Sequence, residues 1–338
     1  MHMADALLSP AVGASMWGVT AATIAYSSRK VARSIDDRRI PLMGILGAFV
    51  FAAQMINFTI PATGSSGHIG GGLLLAILLG PHAAFLTLAS VLIVQALFFA
   101  DGGLLALGCN IINLGLFPCF IAYPFFYQKL AGDGGVRGRV ITAAIIAAAV
   151  GLQFGSLSVV VQTVLSGVTE LPFTTFALVM QPIHLAIGVV EGVATAAVVL
   201  FIATARPDIL QAPTRLQTGE KSLRRIGISL LLVTLLTGGF LSWYASKLPD
   251  GLEWSLAQVT GSAELETIPG SPHKIAEELQ QKTALLPDYA LPGGAEGGRA
   301  GATLSGLVGS LLVLLLSAGG AALLRRNSKK VLERSDSR

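Results

Sequence analysis

Residues 71–99 read GGLLLAILLGPHAAFLTLASVLIVQALFF, an uncharged run of 29 positions broken by Gly80-Pro81. A helix crosses a bilayer core in about 20 apolar residues. The run is therefore long for one pass and short for two. Proline lacks an N–H and ends or kinks a helix, so the break is a candidate bend. Whether the run crosses once or turns back decides which side of the membrane every later residue occupies.

The basic residues settle the choice. Segments 29–39, 128–139, 205–225 and 325–338 hold 19 of the 23 Lys and Arg, whereas 61–70, 100–103 and 166–174 hold none. Lys247, Lys274, Lys282 and Arg299 are the remaining four, in the long 247–299 segment. Short basic loops stay on the cytoplasmic side. One crossing at 71–99 would place Arg206, Arg215, Lys221, Arg224 and Arg225 outside. Two passes, or a re-entrant pair bent at Gly80-Pro81, place every basic cluster inside.

Other apolar stretches fall at about 10–28, 40–60, 104–127, 140–165, 175–204, 226–246 and 300–324. The expected fold class is an all-α polytopic membrane protein. It has seven helical segments up to about 204, then a two-helix C-terminal hairpin flanking an external loop, 247–299. Composition agrees, since only 12% of residues are charged against about a quarter in soluble domains. Glycine, 39 of 338 residues, suits helices that approach closely. The net charge of +4 reflects the segregated loops, so no nucleic-acid partner is expected; the partner surface is the lipid bilayer. Cys109 and Cys119, ten positions apart on one helix, are about 15 Å apart along its axis, too far for a disulfide. No basic region precedes the first apolar run, so Met1 is expected as the mature end. The N-terminus, loop 61–70 and Asp101 then share the outer face, and the C-terminus is cytoplasmic. A boundary is expected at the polar, proline-containing stretch 205–225, dividing a membrane domain, 1–204, from a C-terminal part, 226–338.

The chemistry available is sparse. The five histidines are His2, His68, His82, His184 and His273, and HExxH, CxxC and GxxxxGK[ST] are absent. ATP hydrolysis by a P-loop site is thereby excluded from this chain. His2 is unusual by position. A free α-amine, the following amide nitrogen and the His2 imidazole can close a five-membered and a six-membered ring on one ion. Planar nitrogen coordination suits Ni(II) or Cu(II). His68, in the glycine-rich loop 63–72, is the candidate for the fourth planar position; the plainer reading makes His2 a terminal residue and His68 an interfacial loop residue.

The run Met1-His2-Met3-Ala4-Asp5-Ala6-Leu7-Leu8-Ser9-Pro10 resembles the N-terminal signature of the M proteins. These are the substrate-capture (S) components of nickel and cobalt energy-coupling-factor transporters. Gly64-Ser65-Ser66-Gly67-His68, Phe98-Phe99-Ala100-Asp101-Gly102-Gly103 with Asn110 and Asn113, and His184 through Glu191-Gly192 carry the same resemblance. It covers roughly residues 1–204. It implies seven helices, an external N-terminus, and a metal held by Met1, His2 and His68. It also implies a transmembrane coupling (T) component and two cytosolic ATPase subunits as partners, with Ni(II) or Co(II) as transported substrate and no organic cofactor. The chain departs from the family's Pro-Asp-Gly at Ala4-Asp5-Ala6. Pro249-Asp250-Gly251-Leu252-Glu253 and Leu286-Pro287-Asp288-Tyr289 resemble the small N component fused to nickel-type M proteins, which leans the substrate toward nickel; a cobalt importer for cobalamin synthesis is the alternative.

Around the expected site, Asp101 could orient a metal-bound histidine or simply favour a helix N-terminus. Asp5, Ser65 and Ser66 are weaker candidates of the same kind. Asn110 and Asn113 are candidates for structural or coupling roles. His184 and Glu191, seven apart on one helix face, are expensive inside a membrane. They suggest an interhelical hydrogen bond, or a proton relay in a self-sufficient secondary transporter. Repeats with paired broken helices, frequent in such carriers, are not evident. An intramembrane enzyme using His184 as base has no nucleophile or metal-dyad signature, so the chain reads as a transporter subunit. His82 and His273 read as structural or solvated.

Overall fold

Gly80 adopts φ +82°, a left-handed conformation that glycine reaches at no steric cost, and the chain reverses there. The computed structural model describes residues 2–34, 39–132, 136–169, 171–205, 220–263, 265, 272–291 and 298–336, and the side chains at 205, 220–226 and 328–336 lie outside that description. The bend separates α3, Gly72–Leu79, from α4, Pro81–Phe99. Eight residues of helix extend about 12 Å, less than half of a ~30 Å hydrocarbon core. All eight residues of α3 are buried in protein, which a re-entrant segment requires.

Before the bend come α1, Pro10–Ser34, and α2, Ile40–Gln54. The stretch expected to continue as helix to 60 does not. α2 ends at Gln54, and Phe58–Ile60 forms strand β1, antiparallel to β2, Ser65–Gly67. Phe58-Thr59-Ile60 is aromatic and β-branched, and Pro61 cannot continue a helix. The small hairpin holds the loop that bears His68 at the end of the bundle.

After α4, helix α5 spans Leu107–Ala131 and carries wide-turn π hydrogen bonding through Ile112–Tyr127, where Pro118 and Pro124 lie inside the helix. α6, Arg137–Ser166, and α7, Phe173–Ala205, form a tight antiparallel pair. A Cβ on Gly188 would sit 2.7 Å from the Ala149 backbone, and one on Gly192 would overlap the Ile145 backbone. Small residues let the two backbones touch.

The C-terminal hairpin consists of α8, Glu220–Gly239, and α11, Arg299–Asp336. They meet at Gly238 and Gly306, backbone against backbone. The first helix is shorter than the apolar stretch 226–246, because a 3-10 turn, Leu241–Tyr244, follows. α11 packs along α2, where Gly309 makes room for the Phe51 ring. This contact covers one side of the helix, while Leu304, Leu311, Leu315 and Leu323 remain exposed, as on a span that faces lipid. The described part of the segment between α8 and α11 contains two short helices, α9, Gly251–Thr260, and α10, Pro272–Thr283. Asp250 and Glu253 close a capping box at the start of α9. Among the described residues, five helices, α4 to α7 and α11, are long and apolar enough to cross a membrane.

Candidate metal centre

Met3 sets the position of everything around it. It is fully buried, its N–H donates to Asn110 Oδ1 at 2.8 Å, and its carbonyl accepts from Asn110 Nδ2 at 3.2 Å and Gly103 N–H at 2.9 Å. Asn113 Nδ2 lies 3.6 Å from the Met3 sulfur, and Asn113 exchanges amide bonds of 2.8 and 2.9 Å with Gln162 on α6. Asp5 accepts the Ala106 N–H at 2.8 Å, and burial raises its carboxyl pKa. A 3-10 turn, Asp5–Leu7, then leads the chain into the bundle, with Leu7 and Leu8 buried. Ala4 and Ala6 therefore still make a turn at the place where proline and glycine were expected.

His2 is carried into the interior by this anchor. Its Nδ1 donates to Asp101 Oδ1 at 2.8 Å, and its side chain is only 8% exposed. Its ring stacks on His68, centroids 5.1 Å apart and planes within 20°. Asp101 Oδ2 accepts the Tyr289 hydroxyl proton at 2.5 Å. Burial pushes the Asp101 carboxyl up, but the charge and hydrogen bond of His2 and the Tyr289 hydroxyl bring it well below the usual range. Asp101 is thus an acceptor only. Burial, followed by the neighbouring charge of Asp101, raises Tyr289 well above its ordinary value and keeps it a donor.

His68 Nδ1 faces the Ile69 carbonyl at 3.1 Å. A carbonyl only accepts, so Nδ1 carries the proton and Nε2 keeps its lone pair, the form in which imidazole ligates a metal. Burial, then neighbouring positive charge, pulls His68 down to about 3, so it is neutral at physiological pH. His2 Nε2 is buried with no hydrogen-bond partner among the described residues.

These contacts limit how an ion can sit. The six-membered ring that includes the residue-2 amide needs His2 Nδ1, the nitrogen now facing Asp101. To close such a ring the imidazole would have to turn about Cβ–Cγ so that Nδ1 leaves the carboxylate. Among the described residues, no three His, Cys, Asp or Glu side chains come close enough to hold a metal by themselves. An ion placed here could draw on two imidazoles, and further donors would have to come from the main chain. Met1, expected to provide one of them, lies outside the described residues.

The C-terminal segment covers the centre. Ser66 N–H donates to the Pro249 carbonyl at 2.8 Å and its hydroxyl to Leu248 at 2.7 Å, while the Ser65 hydroxyl bonds to the Ser66 carbonyl at 3.1 Å. The two serines, candidates for contacts around the ion, instead bond to the main chain. Gln280 Nε2 donates to Ala96 and Gly102 at 2.9 and 2.7 Å, and the Leu285 and Leu286 N–H groups to Phe98 at 2.9 and 3.1 Å. His273, read as solvated or structural, is buried and bonds to the Leu8 carbonyl at 2.6 Å. A cavity of about 670 Å³ remains, lined by His2, His68, Asp101, Asp250, Glu253 and Tyr289 among others. Tyr289 and Gln280 were missed as site residues. The run Leu286–Tyr289 was visible as a motif, but nothing in it points to Asp101.

His184 and Glu191, paired by spacing, have separate partners. His184 Nδ1 donates within its own helix to Met180 at 2.8 Å. Glu191 accepts from the main chain at Gly70 and Gly71, 2.8 and 3.0 Å away. His82 lies 3.3 Å from the Ser27 hydroxyl, and both cysteines are buried thiols.

Residues 2–209 match the family model described as the cobalt uptake substrate-specific transmembrane region, and residues 224–326 match the PDGLE domain. The chain is 30% identical to a fused nickel transport protein of Rhodobacter capsulatus over 93% of its own length and 95% of that protein. It is 31% identical to a cobalt transport protein of Sorangium cellulosum, over 62% of this chain and 94% of the relative. A solved structure of a transition metal transporter is similar at 32% identity and TM-score 0.53, covering 62% of this chain and 96% of that one.

Proposed function

Because the chain belongs to the cobalt-uptake substrate-specific transmembrane family, we propose that it captures Ni(II), or Co(II), at the outer membrane face for uptake. The observation that carries this reading is the stacked pair of His2 and His68, ring centroids 5.1 Å apart and both half-buried, with His2 immediately before a residue tied down by its own main chain. Met1 supplies the amine, His2 the amide nitrogen and Nδ1, and His68 Nε2 the fourth donor. Asp101, held by Tyr289, receives and releases the His2 ring. Domain 1–204 holds the ion, 205–225 links, and 226–338 covers the site from outside.

A planar set of four nitrogens favours late divalent metals over zinc, which prefers tetrahedral sites. Titration of the purified chain with its native start is expected to give nickel at least ~100-fold tighter than zinc, about 2.7 kcal/mol. Equal affinities would overturn the planar site. The nickel lean rests on fused relatives such as the Rhodobacter capsulatus protein being nickel transport proteins.

With no phosphate loop in the chain, energy for uptake comes from partners, a T component and two ATPases. Nickel uptake into cells is expected to stop when those ATPases are deleted. Uptake that continues would favour the proton-coupled alternative. The N-terminus then lies outside and the C-terminus in the cytoplasm.

A further inference from the structure

Within the site reading just given, we propose that Glu191 is the positioning residue for His68, holding from inside the membrane the peptide turn that carries the imidazole. Both carboxylate oxygens are used. Oε2 accepts the Gly70 N–H at 2.8 Å and Oε1 the Gly71 N–H at 3.0 Å. On the other side of the same peptide, the Gly70 carbonyl accepts Gln54 Nε2 at 2.8 Å, and Gln54 Oε1 accepts Gln95 Nε2 at 2.9 Å. Gly70 is therefore clamped through its N–H by α7 and through its carbonyl by α2, two residues after His68.

The turn has little freedom of its own. Gly71 sits at φ +76°, and a Cβ there would lie 2.5 Å from Val50; a Cβ on Gly70 would lie 3.3 Å from Glu191 Oε2. A buried carboxylate is costly in a membrane. Here it receives two N–H donors at the positive end of α3, which offsets the cost. α7 in turn lies backbone-to-backbone on α6 through Gly188 and Gly192, so the carboxylate is mounted on a rigid pair. Without it, both N–H groups of the turn would lose their acceptor, leaving the Gln54 bond to the Gly70 carbonyl and the Leu75 N–H bond to the Gly71 carbonyl, and the His68 ring would lose its fixed direction toward His2.

Glutamine is the informative substitution, because its amide offers one acceptor where two N–H groups require two. Nickel titration and visible spectra are compared for the parental full-length chain, E191Q, H68A and the double variant, with circular dichroism as a check on folding. E191Q is expected to bind nickel 10- to 100-fold more weakly, the range for residues that orient a ligand, and to give the H68A spectrum. The double variant should be no weaker than H68A, since the two residues act as one unit. If E191Q keeps parental affinity or spectrum, or if the double variant loses the product of both factors, the proposal is wrong. Should H68A itself bind as the parent does, the metal-site reading fails, whatever Glu191 does. If E191Q does not fold, E191D, one methylene too short to reach both N–H groups, is read by the same two outcomes.

Discussion

One residue added ahead of Met1 is expected to lower nickel affinity by about 10³-fold or more, near 4 kcal/mol. In the proposed site the chelate would begin at the α-amine, and an added residue would turn that amine into an amide whose proton must also be removed. The chain cannot slide to compensate. Successive residues are 3.8 Å apart, and Met3 is fixed through its N–H, its carbonyl and its sulfur by Asn110, Gly103 and Asn113. A one-residue shift would break every one of those bonds. Calorimetric or competition titration of chains with and without the extra residue checks the prediction. Undiminished affinity in the extended chain would remove the amine from the site.

The second large effect is expected for His68→Ala. The imidazole is half-buried, neutral and turned by the Ile69 carbonyl so that Nε2 carries the lone pair. Removing it would open the fourth position of the proposed planar site, which water or a weaker donor would then fill. The expected loss is about 10²-fold in nickel affinity, or 2.7 kcal/mol, with a shift of the visible band because a nitrogen donor has gone. The two effects differ in kind. The extension would replace the amine donor by an amide and force a further residue into a space already filled, whereas the substitution would leave the other three proposed donors in place. A nickel spectrum unchanged by His68→Ala would exclude the residue as a ligand.

The break in the long apolar run was legible because proline is read without tertiary context. Gly80-Pro81 marked it, and one helix ends and the next begins there. The limit of α2 was not legible. Residues 55–60 are apolar enough to prolong a helix, and only pairing with Ser65–Gly67 draws them into a strand. At the site, the histidines stood out through their positions: His2 is next to the terminus and His68 is in a glycine-rich loop. Their surroundings did not stand out, since Tyr289 reaches Asp101 across 188 positions and Glu191 reaches Gly70 across 121. Glu191 read as half of a pair with His184 because both lie on one helix face. Its partners are main-chain N–H groups, which carry no residue signature.

The seating of Phe51 against Gly309, with α11 laid along α2, also bears on how the molecule moves. A joint with aromatic carbon pressed on bare backbone has no slack for hinging or sliding. The terminal hairpin must travel as a keel with the first half of the chain. Any tipping within the lipid carries both together, and with them the cover above the two imidazoles.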